Sequence, residues 1–158
     1  MAAFMRTMMK KFQKLVDASD VLSTAGGATS LSQIAAIAAM EETQEWRAAF
    51  LKHITKNRDY AVAFINEHIP GLHAYRPQAT FLLYVDIREL HVTGAEFVEF
   101  LKEEVQLAIV PGGHQYFGDE SEGHVRICLA TSMEILSEGL NRLKKGVEML
   151  IERRTQHA

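Results

Sequence analysis

Pro111-Gly-Gly-His-Gln-Tyr-Phe-Gly118, followed by Gly123-His-Val-Arg-Ile-Cys-Leu-Ala130, decides how this chain is read. A glycine-punctuated loop runs into a short strand that carries one arginine among apolar neighbours. Glycine allows positive φ and a close approach of backbone to ligand, and a plain turn is the alternative reading of the same residues. Alternation along the strand puts Val125, Ile127 and Leu129 on one face and His124, Arg126 and Cys128 on the other. Arg126 is therefore the first candidate site residue. Its planar fork matches a carboxylate in two parallel hydrogen bonds and stays charged at every relevant pH. The alternative is an arginine on a solvent face or paired with Glu122.

Outward from this stretch the elements follow from period and punctuation. Upstream, Leu107 to Val110 is a short strand. Thr93-Gly-Ala-Glu96 is a capping box that opens a helix through Phe97, Phe100 and Leu101. Thr80-Phe-Leu-Leu-Tyr-Val-Asp-Ile87 is apolar on both alternations and predicts a central strand covered on both faces. Leu72 to Tyr75 is another strand. A helix over 45–68 carries Trp46, Phe50, Ile54, Ala61 and Ile65 on one stripe that Ile69 extends, and Pro70-Gly71 stops it. Ser30-Leu-Ser-Gln33 is a capping box for a helix to about Glu42. Downstream, Thr131-Ser-Met-Glu134 opens a last helix with Leu136, Leu140, Leu143, Val147 and Leu150 on its buried stripe. Residues 1–29 read as an N-terminal amphipathic helix (Met1, Phe4, Met5, Met8, Phe12, Leu15) and a Gly/Ser linker. The fold class is α+β: a small three- to four-stranded mixed sheet with helices packed on it, preceded by a long helix.

The 158 residues suit one core. A net charge of −3 leaves no basic surplus for phosphates, so nucleic acid is not an expected partner. No apolar run approaches the roughly 18 residues of a spanning helix, so no membrane role is expected either. Cys128 is the single cysteine, which excludes an internal disulfide and fits a reducing cytoplasm. It reads as a small buried residue, and Trp46 as core.

Other chemistry-bearing residues say less. Tyr116 offers a hydroxyl and an aromatic face near Gly112 and Gly113. His114 and His124 are acid–base candidates, but their spacing with His73 or His91 fits no metal pattern. The sequence has no Gly-x-Gly-x-x-Gly, P-loop, Gly-x-Ser-x-Gly or His-Glu-x-x-His. Lys52, Lys56, Lys102 and Lys144 fall on polar helix faces, with nothing to depress an amine pKa. No catalytic and no metal residue is assigned.

From about Leu22 to Ile151 the chain resembles the end of class I/II aminotransferases, the fold-type-I enzymes that use pyridoxal phosphate (PLP). The likeness is to the subgroup that includes the MalY/PatB-type cystathionine β-lyases. Ser30-Leu-Ser-Gln-Ile-Ala-Ala-Ile-Ala-Ala-Met40 is similar to the helix after the cofactor lysine. Trp46 and Arg58-Asp59 are similar to the long inter-domain helix. Pro77-Gln-Ala-Thr-Phe-Leu-Leu-Tyr-Val-Asp86 resembles a P-x-A-T-F-L-x-W-x-D strand, with tyrosine for tryptophan. Val110-Pro-Gly-Gly, Phe117-Gly118, Gly123-His-Val-Arg126 and Ala130-Thr-Ser132 resemble the terminal signature.

The resemblance implies that residues 30–158 form the C-terminal small domain and that Arg126 binds the α-carboxylate of an amino-acid substrate. PLP is implied for the family. The lysine, aspartate and phosphate-binding groups that hold it lie in a large domain with no counterpart here. No cofactor is therefore expected for this chain alone, which is expected to be inactive by itself. The expected partner is a separate large-domain chain, or further copies of this one through the apolar surface of residues 1–45. The alternative is a stand-alone oligomeric binding module recruited from that family.

Overall fold

Residues 29–156 are described by the structure, a computed structural model, and the chain divides into two units, 1–47 and 48–158. The amphipathic helix expected near the N-terminus, and most of the Gly/Ser linker, lie outside the described residues.

In the first unit, α1 (Ser30–Glu41) is capped by Thr29, whose Oγ1 accepts from the Ser32 backbone N–H at 3.2 Å. The expected Ser30 box is thus displaced by one residue. Thr29 holds the extended φ/ψ of a cap, whereas Ser30 is already helical. No residue of α1 is buried.

The long helix α2 (Gln44–His68) begins in the first unit and continues through the second, where it buries Ile54, Asn57, Ala61 and Ile65. Trp46 is 64% exposed, not core as expected. At about 100° per residue it stands about 80° round the helix from Ile54 and about 60° from Ala61, at the margin of the stripe.

Four strands form one sheet in the order β1-β2-β4-β3: β1 (His73–Tyr75), β2 (Leu82–Asp86), β3 (Val110–Pro111) and β4 (His124–Cys128). Every pairing is antiparallel, where a mixed sheet was expected. Tyr84 lies opposite both Tyr75 and Arg126, and Arg126 opposite Val110. Two strands are shorter than the sequence suggests. β2 starts late because Thr80 sits at φ 68 in a turn closed by the Leu82 N–H on the Thr80 Oγ1. β3 keeps only two ladder residues.

The sheet is covered on one face. Ala74, Leu83, Val85 and Val125 are buried, while Tyr84, Asp86, His124 and Arg126 are half-buried on the other side. β2 is an interior strand as expected, paired with β1 and β4, but the expectation that it is covered on both faces is corrected. Helices packed on one side of an antiparallel sheet leave its alternate residues open. α2, α3 (Gly94–Val105) and α4 (Met133–Gln156) close the inner face, with Ile65, Leu101 and Leu143 in the same apolar cluster as Leu83 and Val125. The Thr93–Glu96 capping box of α3 forms with both of its reciprocal bonds. α4 starts one residue later than Thr131 would place it. Ser132 Oγ accepts from the Ile135 N–H at 3.3 Å, and the Ser132 carbonyl takes the first helical bond, from Leu136.

Candidate functional site

The open face of the sheet gathers the chemistry-bearing residues of the second unit. Alternation along β1, β2 and β4 sends His73, Tyr75, Tyr84, Asp86, His124 and Arg126 to this side. The His124 ring stacks on Tyr84, with centroids 4.8 Å apart and planes 15° from parallel. Tyr75 meets His73 edge-on at 4.8 Å. These rings form a rigid polar floor beside the arginine.

Arg126 is half-buried, and its guanidinium carbon lies 4.8 Å from the centre of the Phe117 ring. No carboxylate among the described residues pairs with it. The two acids beside it in sequence and sheet are engaged elsewhere. Glu122 Oε1 accepts from the backbone N–H groups of Gly94, at 2.8 Å, and Gly123, at 3.1 Å. The alternative of an Arg126–Glu122 pair is thereby removed.

Asp86 accepts from Arg88 Nη2 at 2.5 Å, Arg88 N–H at 2.9 Å and Tyr75 Oη at 3.2 Å. The hydrogen bonds from the Arg88 side chain, chiefly, hold its carboxyl far below the usual carboxylate range. Asp86 is thus anionic and satisfied, and His124 Nε2 stands 3.9 Å away. His124 Nδ1 is 3.1 Å from the Glu122 carbonyl and donates to it.

The loop after β3 explains its glycines. A Cβ on Gly112 would lie 1.9 Å from the Ser121 carbonyl oxygen, so a side chain is excluded there. Gly113 sits at φ 107, and its N–H donates to Ser121 Oγ at 2.6 Å. Ser121 Oγ in turn donates to the Gly118 carbonyl at 2.7 Å. Gly113 and Gly118 bridge, folding the loop back on itself. Gly112 and Gly113 are buried, so they build the loop from beneath, and Tyr116 stands 51% exposed at its tip.

In the sequence Phe117 reads only as part of the terminal signature, with no role at the site. It lies nine residues from Arg126, and only the Gly113–Gly118 reversal brings its ring to the guanidinium. The Phe117-Gly118 doublet, an aromatic beside a turn glycine, was the available signal. Cys128 is exposed at the end of β4, not buried as expected, because β3 ends opposite Arg126 and leaves the strand edge uncovered. It borders an apolar groove of about 280 Å³ that Leu107, Ile135 and Leu140 also line.

The described residues do not fit PLP. Holding it takes an amine of depressed pKa and a cradle for its phosphate. Lys52, Lys56, Lys102 and Lys145 are exposed and Lys144 is half-buried, and all five lie on helices, none on a strand of the sheet. No cluster that could hold a metal ion occurs among the described residues, and no described helix is long and apolar enough to cross a membrane.

An α+β layer of one antiparallel sheet with helices packed on it is consistent with an aminotransferase small domain. Comparison with known proteins agrees. The chain is 32% identical over 125 residues to an aspartate aminotransferase of Pyrococcus horikoshii, covering 78% of this chain and 31% of that protein. It is 32% identical over 142 residues to a protein of Mycobacterium tuberculosis provisionally named a cystathionine β-lyase, covering 81% of this chain and 34% of that one. The solved structure of cystalysin from Treponema denticola, which contains PLP, superposes with a TM-score of 0.69 at 28% identity, over 77% of this chain and 30% of that one. No family model matches. The homologues and structural neighbours are thus PLP-dependent aminotransferases and cystathionine β-lyases, of fold type I. The chain spans about a third of the length of the curated relatives it matches.

Proposed function

We propose that this chain is the C-terminal small domain of a PLP-dependent aminotransferase or C–S lyase acting on amino acids, and that Arg126 binds the substrate's α-carboxylate. The observation that carries the reading is a half-buried guanidinium with an aromatic neighbour and no acid partner among the described residues. A buried or half-buried arginine ordinarily sits with a carboxylate, because charge is costly to desolvate unpaired. Here Asp86 and Glu122 are both spent on other donors, so the positive field at Arg126 is left for an incoming anion. A bidentate carboxylate contact supplies affinity and orientation. It does not supply the electron sink, which in such enzymes belongs to the cofactor. The described residues do not fit that cofactor, so in this reading the groups that hold it belong to a large domain that completes the site.

The test is a titration of the 158-residue chain with L-alanine and with pyruvate, followed by NMR at the Arg126 side-chain N–H signals and, in the chain and its variant alike, at the backbone amide signals of β4. Saturable shifts are expected at millimolar concentrations, and Arg126→Ala should weaken binding by roughly 10- to 100-fold, as for a lost charged hydrogen-bond pair. Equal affinity in the variant sinks the reading. A stand-alone oligomeric module is the second reading, and one observation favours it: Leu31, Ile34, Ile37 and Met40 of α1 are all more than half exposed.

A further inference from the structure

Arg126 keeps its geometry without an acid, and this requires an explanation. A guanidinium on a flexible stem loses side-chain entropy when it is fixed, so something must hold it. Among the described residues the contact that does so is the face of Phe117, 4.8 Å from the guanidinium carbon. An aromatic face attracts a cation through its quadrupole but carries no net charge. An acid in that place would orient the arginine equally well and neutralise it. The ring attracts the guanidinium and leaves its charge intact, and it accepts none of the N–H groups in the strong hydrogen bonds that a carboxylate would take up.

The placement of Phe117 is itself fixed. The loop is pinned at its base by the bonds that link Gly113, Ser121 and Gly118, and by the Gly113–Gly118 bridge. A Cβ on Gly112 would collide with the Ser121 carbonyl, so the two limbs of the loop are locked together. The ring is 45% exposed, so it is not held there by burial in the core.

We infer that Phe117 is a positioning residue for anion binding: the face of its ring seats the Arg126 guanidinium, taking the part of the missing acid, and so raises the affinity of the site for a small planar carboxylate. This rests on the carboxylate-binding reading of Arg126. The seat is electrostatic in kind, so it depends on the electron density of the ring and not on its shape alone.

The experiment replaces Phe117 in the full 158-residue chain with phenylalanines carrying one, two and three ring fluorines, which withdraw density while nearly keeping shape. Phe117→Leu and Phe117→Tyr complete the set. Two readouts are taken by NMR: the ring-current displacement of the Arg126 Nε–H signal without ligand, and the dissociation constant for propionate. Propionate affinity should fall stepwise with each fluorine, reach roughly two- to fivefold weaker in Phe117→Leu, and be restored in Phe117→Tyr. Unfolding temperature should stay level across the fluorine series, which separates the effect from general destabilisation. A propionate affinity that is flat across the series, with Arg126→Ala still impaired, overturns the role of Phe117 and leaves the carboxylate reading standing. An absence of any propionate-dependent shift at Arg126, with the ring-current signature intact, overturns the carboxylate reading and this role with it.

Discussion

Asp86 illustrates how one residue sets a pH limit on the fold. Its carboxylate accepts from the side chain and backbone N–H of Arg88 and from Tyr75, and these bonds are strongest while it is ionised. Its folded pKa is held far below the value of about 4 that an aspartate has in the unfolded chain. The sign follows from linkage. At pH above about 4 both states are ionised and the full stabilisation is present; as pH falls below that value the unfolded chain takes up the proton first, and stability declines. Thermal unfolding followed from pH 7 down to pH 3 should show this acid decline. Asp86→Asn, which cannot ionise, should lower the melting temperature at neutral pH and show a shallower slope below pH 4. A variant with the same slope as the wild type would place the acid sensitivity elsewhere.

Elements were legible in the sequence where one stripe met one core. α4 buries Leu136, Leu140, Leu143 and Val147 as their spacing predicts, and the Thr93–Glu96 box forms as read. Partners distant in sequence were not legible. Asn57 reads as a polar interruption of the α2 stripe. It is instead fully buried, its Nδ2 donating to the Leu129 carbonyl at 2.9 Å and the Thr131 carbonyl at 2.8 Å, where the chain leaves β4. Phe117 was missed for the same reason, since ring and guanidinium meet through a loop reversal. Arg126 was legible because a lone cation on an alternating strand has a face assigned by period alone. Gly146 carries the element-scale prediction. A glycine inside α4 costs about 1 kcal/mol of helix propensity relative to alanine. It is accommodated because α3 comes close: a Cβ there would meet Leu101 Cδ2 at 2.4 Å and Val105 Cγ2 at 3.3 Å. Leu101 is fully buried and has nowhere to turn. Gly146→Ala should therefore destabilise by about 1–3 kcal/mol in spite of its better propensity. Chemical denaturation reads this directly, and a stabilised variant would show that the two helices can move apart.

At the scale of the whole molecule the open question is what meets its uncovered apolar surface. α1 buries none of its residues, and Leu31 and Met40 are 77% and 70% exposed. From Ser30 to Met40 it carries no charge, so two copies can bring this face together without like-charge repulsion. A symmetric contact counts each side chain twice. Removing an isoleucine from such a contact forfeits on the order of 1–2 kcal/mol per copy. The double change Ile34→Ser with Ile37→Ser removes four side chains from a symmetric contact and should thus weaken self-association by at least several hundredfold, roughly 4 kcal/mol at about 1.4 kcal/mol per tenfold. Because neither residue belongs to the core of the second unit, the melting temperature measured at low protein concentration should stay within a few degrees of wild type. Sedimentation equilibrium across a hundredfold range of protein concentration is the measurement. A wild-type chain that stays monomeric at the top of that range defeats self-association through this face. If the wild type associates and the double variant does so equally well, the contact lies elsewhere on the chain.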